Sequence, residues 1–374
     1  MSDDDSPALV GHEPLRRFWH SAQGFWHGRS AVIAWGLMAM LVVCTILQLL
    51  VQYRLNLWNR DFFNALEFRD SREIWRQTYL LLVFAAISIA LGVVAVWGRM
   101  TFQRLWRDWV TRNLIEAWLG EERYRRLDLW NGEHQNAEYR IAEDARLATD
   151  APIDLVVGLL ASVLSAATFV AVLWHVGGSL EVKPFGWSLT IPGYLVVSVV
   201  IYAAATTGTM MLVGRHMVDV IECKNQAESE LKYAVAHLRE SATVSATRVN
   251  LATTTAAVGT ALVDVIDQWR RLCGQHMRTT FVSHGNSLLA PLVGLILCVP
   301  HYVQGTMLLG EVTQAAAAFF AVQGAFNWLV DNYPRLAEWL SSANRVGTLL
   351  AAFDRLTSRD ESTAAPAATK SDIV

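Results

Sequence analysis

Charge disappears from this sequence six times. Runs free of Asp, Glu, Lys and Arg cover Ala31–Val51, Tyr79–Val96, Leu155–Leu180, Gly186–Val213, Ser287–Met307 and Val312–Val330. Each is close to the length that crosses roughly 30 Å of hydrocarbon as a helix, some with room to tilt. Six spans are therefore predicted, the fifth interrupted by Pro291, Pro300 and His301. The polar stretches between them alternate between short and long. The two long ones, 97–152 and 214–285, show no strand alternation. In "FQRLWRDWVTRNLIEAWL" the residues Phe102, Leu105, Trp109, Leu114 and Trp118 recur at helical spacing, and "KNQAESELKYAVAHLRESATVSATRV" contains neither Gly nor Pro. Spans two to five are thus expected to continue as helices well beyond the bilayer.

Composition agrees with the pattern. The chain is 53% hydrophobic with only 17% charge, too apolar for an average soluble domain. Basic residues set an orientation. The segments 52–78, 181–185 and 308–311 hold six of the 31 Lys and Arg, and the other face holds the rest, so positive-inside bias puts both termini in the cytoplasm. Trp35, Trp58, Trp97, Trp174, Trp187 and Trp328 fall at or near predicted span ends, where amphipathic rings are favoured. The start, "MSDDDSPALV", lacks the basic flank of a cleavable signal peptide. Three segments result: a cytoplasmic leader, 1–30; a six-span transmembrane domain, 31–355; and a disordered cytoplasmic tail, 356–374. Leu15, Phe18, Trp19, Phe25 and Trp26 give the leader the pattern of an amphipathic helix lying on the membrane surface.

Short outer loops alternating with long inner helices give an all-α membrane protein with the outline of an exporter-type ABC transmembrane domain. Particular stretches narrow this. "LNLWNRDFFNALEFRDSREIWRQ", "NAEYRIAEDARLATD", "ECKNQAESELKYAVAHLRESA" and "GAFNWLVDNYPRLAEWLSSANRV" resemble, in order, stretches of the SbmA/BacA-like transporters and their ATPase-fused relatives. The second departs from the family's Asn-Pro-Asp-Gln core, with Asn136-Ala137-Glu138-Tyr139 in its place. The resemblance covers about residues 31 to 355. It implies an inner-membrane homodimer of bacteria that imports peptides, antimicrobial peptides included, or other bulky hydrophilic compounds, driven by protons. It also places the start of an ATPase domain, in fused relatives, just after "LLAAFDRLTSRDES". A Walker A loop needs Gly-Lys followed by Ser or Thr to hold phosphates. The lysines are Lys183, Lys224, Lys232 and Lys370, and none follows Gly.

Coupling to protons requires carboxylates. "RIAEDARLATDAPIDLVVGLLASVLSAATFVAVLW" leads a row of acids up to the third span, and Glu143, Asp150 and Asp154, seven and four residues apart, share one helical face. Apolar surroundings or neighbouring like charges would raise such pKa values and let them load a proton. The alternative is a solvated helix end whose acids pair with nearby arginines, Arg140 or Arg146. By resemblance, Glu143 and Asp144 match an acidic pair of the family pattern. Glu222 and Glu240 match its Glu-x-Lys-Asn-Gln and Arg-Glu positions, and Glu228 and Glu230 cover an intermediate one. Asp150 or Asp154 takes the place of a family Glu near the third span.

Other constellations carry no chemistry. Cys44, Cys223, Cys273 and Cys298 lack metal or redox spacing, the ten histidines include no HExxH, and no nucleophile–base pair stands out. No enzyme activity, cofactor, metal or nucleic-acid partner is expected. A six-helix half would expose polar helix faces to lipid, so a homodimer around a two-fold cavity is expected. Two other readings stay open: the permease subunit of an ABC transporter powered by a separate ATPase chain, and a non-transporting membrane scaffold or receptor.

Overall fold

In the computed structural model, residues 13–28, 30–120, 123–128, 137–182, 189–244 and 248–364 are described. The acidic first residues of the leader and residues 365–374 of the expected tail lie outside them. In chain order come α1 (Glu13–Ala22), α2 (Gly24–His27), α3 (Ala31–Glu67), α4 (Ser71–Leu119), α5 (Arg123–Asp128) and α6 (Ala137–Tyr139). A π-helical turn at Arg140–Asp144 leads directly into α7 (Ala145–Gly177). Then follow β1 (Ser179–Val182), β2 (Leu189–Pro192), α8 (Tyr194–Gly214), α9 (Met217–Val244), α10 (Arg248–Val303) and α11 (Leu309–Ala364). Helix is what apolar runs must form in lipid, because every backbone group has to find its partner within the segment.

Five stretches, Ala31–Glu67, Ser71–Leu119, Ala137–Gly177, Tyr194–Arg239 and Thr255–Val303, are long and apolar enough to cross a membrane. They carry the first five expected runs, the proline-interrupted one included. The sixth, Val312–Val330, sits on α11; Gln314, Gln323 and Asn327 dilute it, and among the described residues it does not join the five on composition. Between 0% and 22% of the most apolar window of each stretch is buried within the chain, so these surfaces need lipid or another copy to cover them.

Two compact units divide the chain, one formed by residues up to Thr168 together with those from Asn327 on, the other by Phe169–Phe326. In the first, α3 and α4 form an antiparallel hairpin. Arg69 takes a positive φ of 56° at its turn. Asp70 then caps α4, its carboxylate accepting from the amides of Arg72 at 3.0 Å and Glu73 at 3.2 Å. Higher up, Trp58 Nε1 donates to the Gln77 carbonyl at 2.7 Å and Gln48 Nε2 to Ser88 Oγ at 2.8 Å, so polar groups facing one another satisfy each other.

The core of this unit lies at its polar end. Phe18 of α1 and Phe25 of α2 are buried with Phe102, Trp106 and Val110 of α4, the start of α7, and Val346, Leu349 and Phe353 of α11. Phe25 and Phe102 meet edge to face at 5.7 Å between ring centroids. Arg17 pairs with Asp354 at 2.9 Å. A Cβ on Gly347 would stand 1.9 Å from the Pro14 carbonyl oxygen, so only glycine lets α1 come this close. Where the sequence expects one amphipathic leader helix on the membrane surface, the structure has two, α1 and α2, with Phe18 and Phe25 turned into protein and Trp19 left exposed. At the other end of the chain, α11 runs on to Ala364, past the expected boundary at residue 355.

In the second unit α9 packs along α10, and α8 against α10, where Tyr194 Oη donates to the Leu297 carbonyl at 3.0 Å. Gln323 Nε2 of α11 donates to Thr206 Oγ1 of α8 at 2.7 Å. Among the described residues, the run of helices is broken by one antiparallel strand pair, β1 with β2, in register from Ser179 opposite Pro192 to Val182 opposite Leu189. The sequence expects helix to reach Leu180 and to resume soon after Gly186. β-branched Thr190 and Ile191, followed by Pro192 and Gly193, favour strand and turn over helix there.

Candidate functional site

The row of acids on the π-helical turn and α7 is the centre of a polar network within the first unit. Glu143 and Asp150 share Arg146, whose Nη2 is 2.5 Å from Glu143 Oε1 and whose Nη1 is 3.6 Å from Asp150 Oδ2. This is the local pairing that the helical spacing allows.

Asp144 behaves differently. Its side chain is 1% exposed and takes a forked grip from Arg345 of α11: Nε lies 2.9 Å from both carboxylate oxygens, and Nη2 2.6 Å from Oδ1. The guanidinium is itself held, donating to Ser341 Oγ at 2.7 Å and Ser342 Oγ at 2.9 Å. The hydrogen bond to Asp144 raises the pKa of Arg345 above its ordinary value. Arg140, one of the two arginines expected to pair with these acids, donates to Thr348 Oγ1 at 3.0 Å. The π turn places Asp144 for its distant partner, since a π bulge rotates the residues it contains relative to the following helix.

Asp154, 12% exposed at the side chain, sits between two arginines. Arg99 of α4 approaches Oδ1 at 3.3 Å, Arg335 of α11 binds Oδ2, and Gln103 Nε2 donates to Oδ1 at 3.1 Å. The sequence reading expects apolar neighbours or like charges along this face. The structure is mixed: Asp144 and Asp154 are held by guanidinium groups of other helices, whereas Glu143 and Asp150 pair with Arg146 of their own, and burial pushes the Asp150 carboxyl above the usual carboxylate range.

Pro152 explains why these helices meet here. It has no N–H, so the carbonyl of Ala148, four residues earlier, is released from the helix ladder. Trp339 Nε1 of α11 donates to that carbonyl at 3.2 Å. Two residues on, Gln103 of α4 donates to the Asp150 carbonyl at 2.7 Å. The proline thus opens the Ala148 carbonyl to α11, and ion pairs stand immediately above and below.

The acids of the second unit are tied mainly within their own helix. Glu222 is exposed. Glu228 pairs with Lys224 at 2.7 Å, and Glu230 accepts from Gln226 at 2.8 Å, both within α9, while Glu228 also accepts from the Trp269 side chain of α10. Lys224 also lies 5.0 Å above the Trp269 ring of α10. Glu240 is on α9, but its side chain lies outside the described residues. Among the described residues, no group of three His, Cys, Asp or Glu is placed to hold a metal ion.

Sequence reasoning missed the partners: Arg99, Gln103, Arg335, Trp339 and Arg345. A signal existed, because Arg335 and Arg345 both stand in the quoted stretch "GAFNWLVDNYPRLAEWLSSANRV" and lie near three helical turns apart. Nothing in the sequence joined that stretch to "RIAEDARLATDAPID".

Comparison with known proteins agrees with this architecture. The family model for ABC transporter transmembrane region 2 matches residues 28–303. The chain is 24% identical over 314 residues to the inner membrane ABC transporter ATP-binding protein YddA of Escherichia coli, covering 83% of this chain and 56% of that protein. It is 22% identical over 326 residues to an uncharacterized ABC transporter ATP-binding protein of Haemophilus influenzae, covering 86% and 54%. It is 19% identical over 347 residues to ABC transporter D family member 2, chloroplastic, of Arabidopsis thaliana, covering 93% and 47%. The chain spans about half the length of these curated relatives. With its bundle of long apolar helices and a match over most of their length, the chain belongs to the family of ABC transporter transmembrane region 2.

Proposed function

We propose that this chain is the membrane-spanning part of an ABC transporter and moves its cargo when an ATPase on a separate chain works on it. The observation that carries this reading is the pairing of the acids. Asp144 and Asp154 are held by arginines of α4 and α11, which suits them to transmitting force between helices better than to loading and releasing protons. The relatives named above support it, since two of the three bear ATP binding in their names. The working unit is a homodimer with the cargo path on its two-fold axis, because the apolar windows bury so little within one chain. It sits in a bacterial inner membrane with both termini in the cytoplasm, following the basic-residue bias. Cargo is a peptide or another bulky hydrophilic compound, as the resemblance to SbmA/BacA-like transporters suggests; the chain itself catalyses no reaction.

The rival is a proton-driven importer of the SbmA/BacA-like type, favoured by the row of acids and by the absence of a Gly-Lys-Ser/Thr sequence. Reconstituted vesicles separate the two. The chain alone, given a labelled cationic peptide and an imposed pH gradient, is expected to show no uptake beyond empty vesicles. Vesicles holding the chain with its co-purified ATPase are expected to transport when ATP is supplied. Uptake by the chain alone that an uncoupler abolishes would overturn the proposal.

A further inference from the structure

A pocket of about 250 Å³ opens where α2 and the first turn of α3 meet the polar half of α4. Phe25, Ile33, Leu105 and Trp109 form its apolar wall, and Asp108, Arg112, Asn113 and Glu116 its polar end. It falls below the roughly 300–1,000 Å³ of sites that enclose drug-sized ligands. A molecule held here leaves part of itself outside, which suits a headgroup rather than a transported cargo.

Position indicates what that outside is. Ser30 precedes α3, the apolar run begins at Ala31, and Ile33 lies just inside it. Val32 and Trp35, 83% and 60% exposed, continue the apolar surface away from the pocket mouth. Trp26 packs on Trp35 at 5.2 Å, a tryptophan pair where a bilayer surface favours such rings. Hydrocarbon therefore begins at one end of the pocket and water at the other.

The polar end recognises charge of both signs. Asp108, Arg112 and Glu116 stand on one face of α4 at successive four-residue steps. Arg112 donates through Nε to both Asp108 oxygens at 3.0 Å, and its Nη groups make no hydrogen bond among the described residues. Two carboxylates accompany one guanidinium, so a purely anionic group is poorly matched. A phosphate that carries its own primary ammonium is matched at both charges, and only a primary ammonium can donate N–H bonds to the carboxylates. We infer that this pocket binds the zwitterionic headgroup of an aminophospholipid, its phosphate against Arg112 and Asn113, its ammonium against Glu116 and Asp108, and its acyl chains leaving over Ile33.

The leader builds one wall. A Cβ on Gly24 would lie 2.7 and 2.8 Å from the Trp109 ring, so this glycine sets where the indole stands. Gly24→Ala shifts that wall without touching a charge.

Native mass spectrometry of the full chain, released from micelles doped with equal amounts of phosphatidylethanolamine, phosphatidylcholine and phosphatidylglycerol, tests the site. The parent is expected to retain phosphatidylethanolamine about fivefold over either competitor, the scale of one exposed ion pair. The Asp108→Asn/Glu116→Gln variant is expected to bring the ratio within about twofold, again on the scale of such pairs. Glu116→Gln alone, at an exposed position, moves it in the same direction. Gly24→Ala lowers total lipid retained, and every variant keeps the parent's unfolding midpoint. Equal retention of the three lipids by the parent, or an undiminished preference in the variants that lack Glu116, would overturn the inference.

Discussion

Two helices carry rows of acids, and they use them differently. On α7 and its π-helical entry, Asp144 and Asp154 reach arginines on α4 and α11, up to 201 residues away in sequence. On α9, Glu228 and Glu230 find their ion-pair and amide partners four residues away, Glu228 adding only the neutral Trp269 of α10, and Glu222 is exposed. A carboxylate that pairs within its own helix adjusts that helix slightly. One that pairs across helices decides where the helix sits. The difference comes from the backbone: α7 has Pro152 and a π turn where α9 is regular, and those irregularities let neighbouring side chains in.

Removing Asp144 should break the contrast most. Asp144→Ala leaves Arg345 beside an apolar core without its partner, and about 3 kcal/mol of stability should go, the scale for breaking one side of a buried pair. The measurement is denaturant unfolding in detergent. Arg345→Ala and the double variant complete a cycle that isolates the pair, and a double variant as damaged as the sum of the singles would deny the coupling.

Asp154→Asn comes next, at about 2 kcal/mol, because two arginines lose their shared carboxylate while Gln103 keeps a hydrogen-bond acceptor. Combined with Asp150→Asn it also bears on coupling. At equal protein level, ATP-driven transport should fall in the double variant, because the link that Asp154 makes to α4 and α11 is weakened, and transport at the parent's rate would remove the acids from force transmission.

Trp339→Phe keeps the ring but removes the donor to the Ala148 carbonyl, which should cost about 1 kcal/mol. Placing Ala at Pro152 in the same chain restores the helix's own donor, so it should return much of that loss. The smallest effect belongs to α9. Glu228→Gln should leave the unfolding midpoint where it was, because Lys224 is still held over Trp269. A destabilisation matching that of Asp154→Asn would erase the distinction between the two helices.

The sequence carried much of this fold in plain view. Five apolar runs, the helical continuations of spans two to five and the amphipathic leader follow from periodicity alone, because helix period and bilayer thickness are local constraints. The Glu143–Arg146 pair was legible for the same reason, at three residues' spacing. What stayed hidden was non-local or conformational. A π turn has no pattern of its own, so Glu143, Asp150 and Asp154 read as one face, although Glu143 and Asp150 share Arg146, Asp154 meets α4 and α11, and Asp144 points to α11. The hairpin at 179–192 hid inside residues apolar enough to extend two spans. Glutamines at 314 and 323, invisible to a rule that counts only formal charge, separate α11 from the other apolar helices.

The docking of α1 bears on how the protein is made. Phe18 and Arg17 leave the ribosome well before their partners Phe353 and Asp354, 337 residues apart in the case of the ion pair. The first unit therefore cannot close until Asp354 has been synthesised, and until then Phe18 and Phe25 lack a complete site. Contacts this distant in sequence close slowly, and apolar surface left waiting invites wrong association.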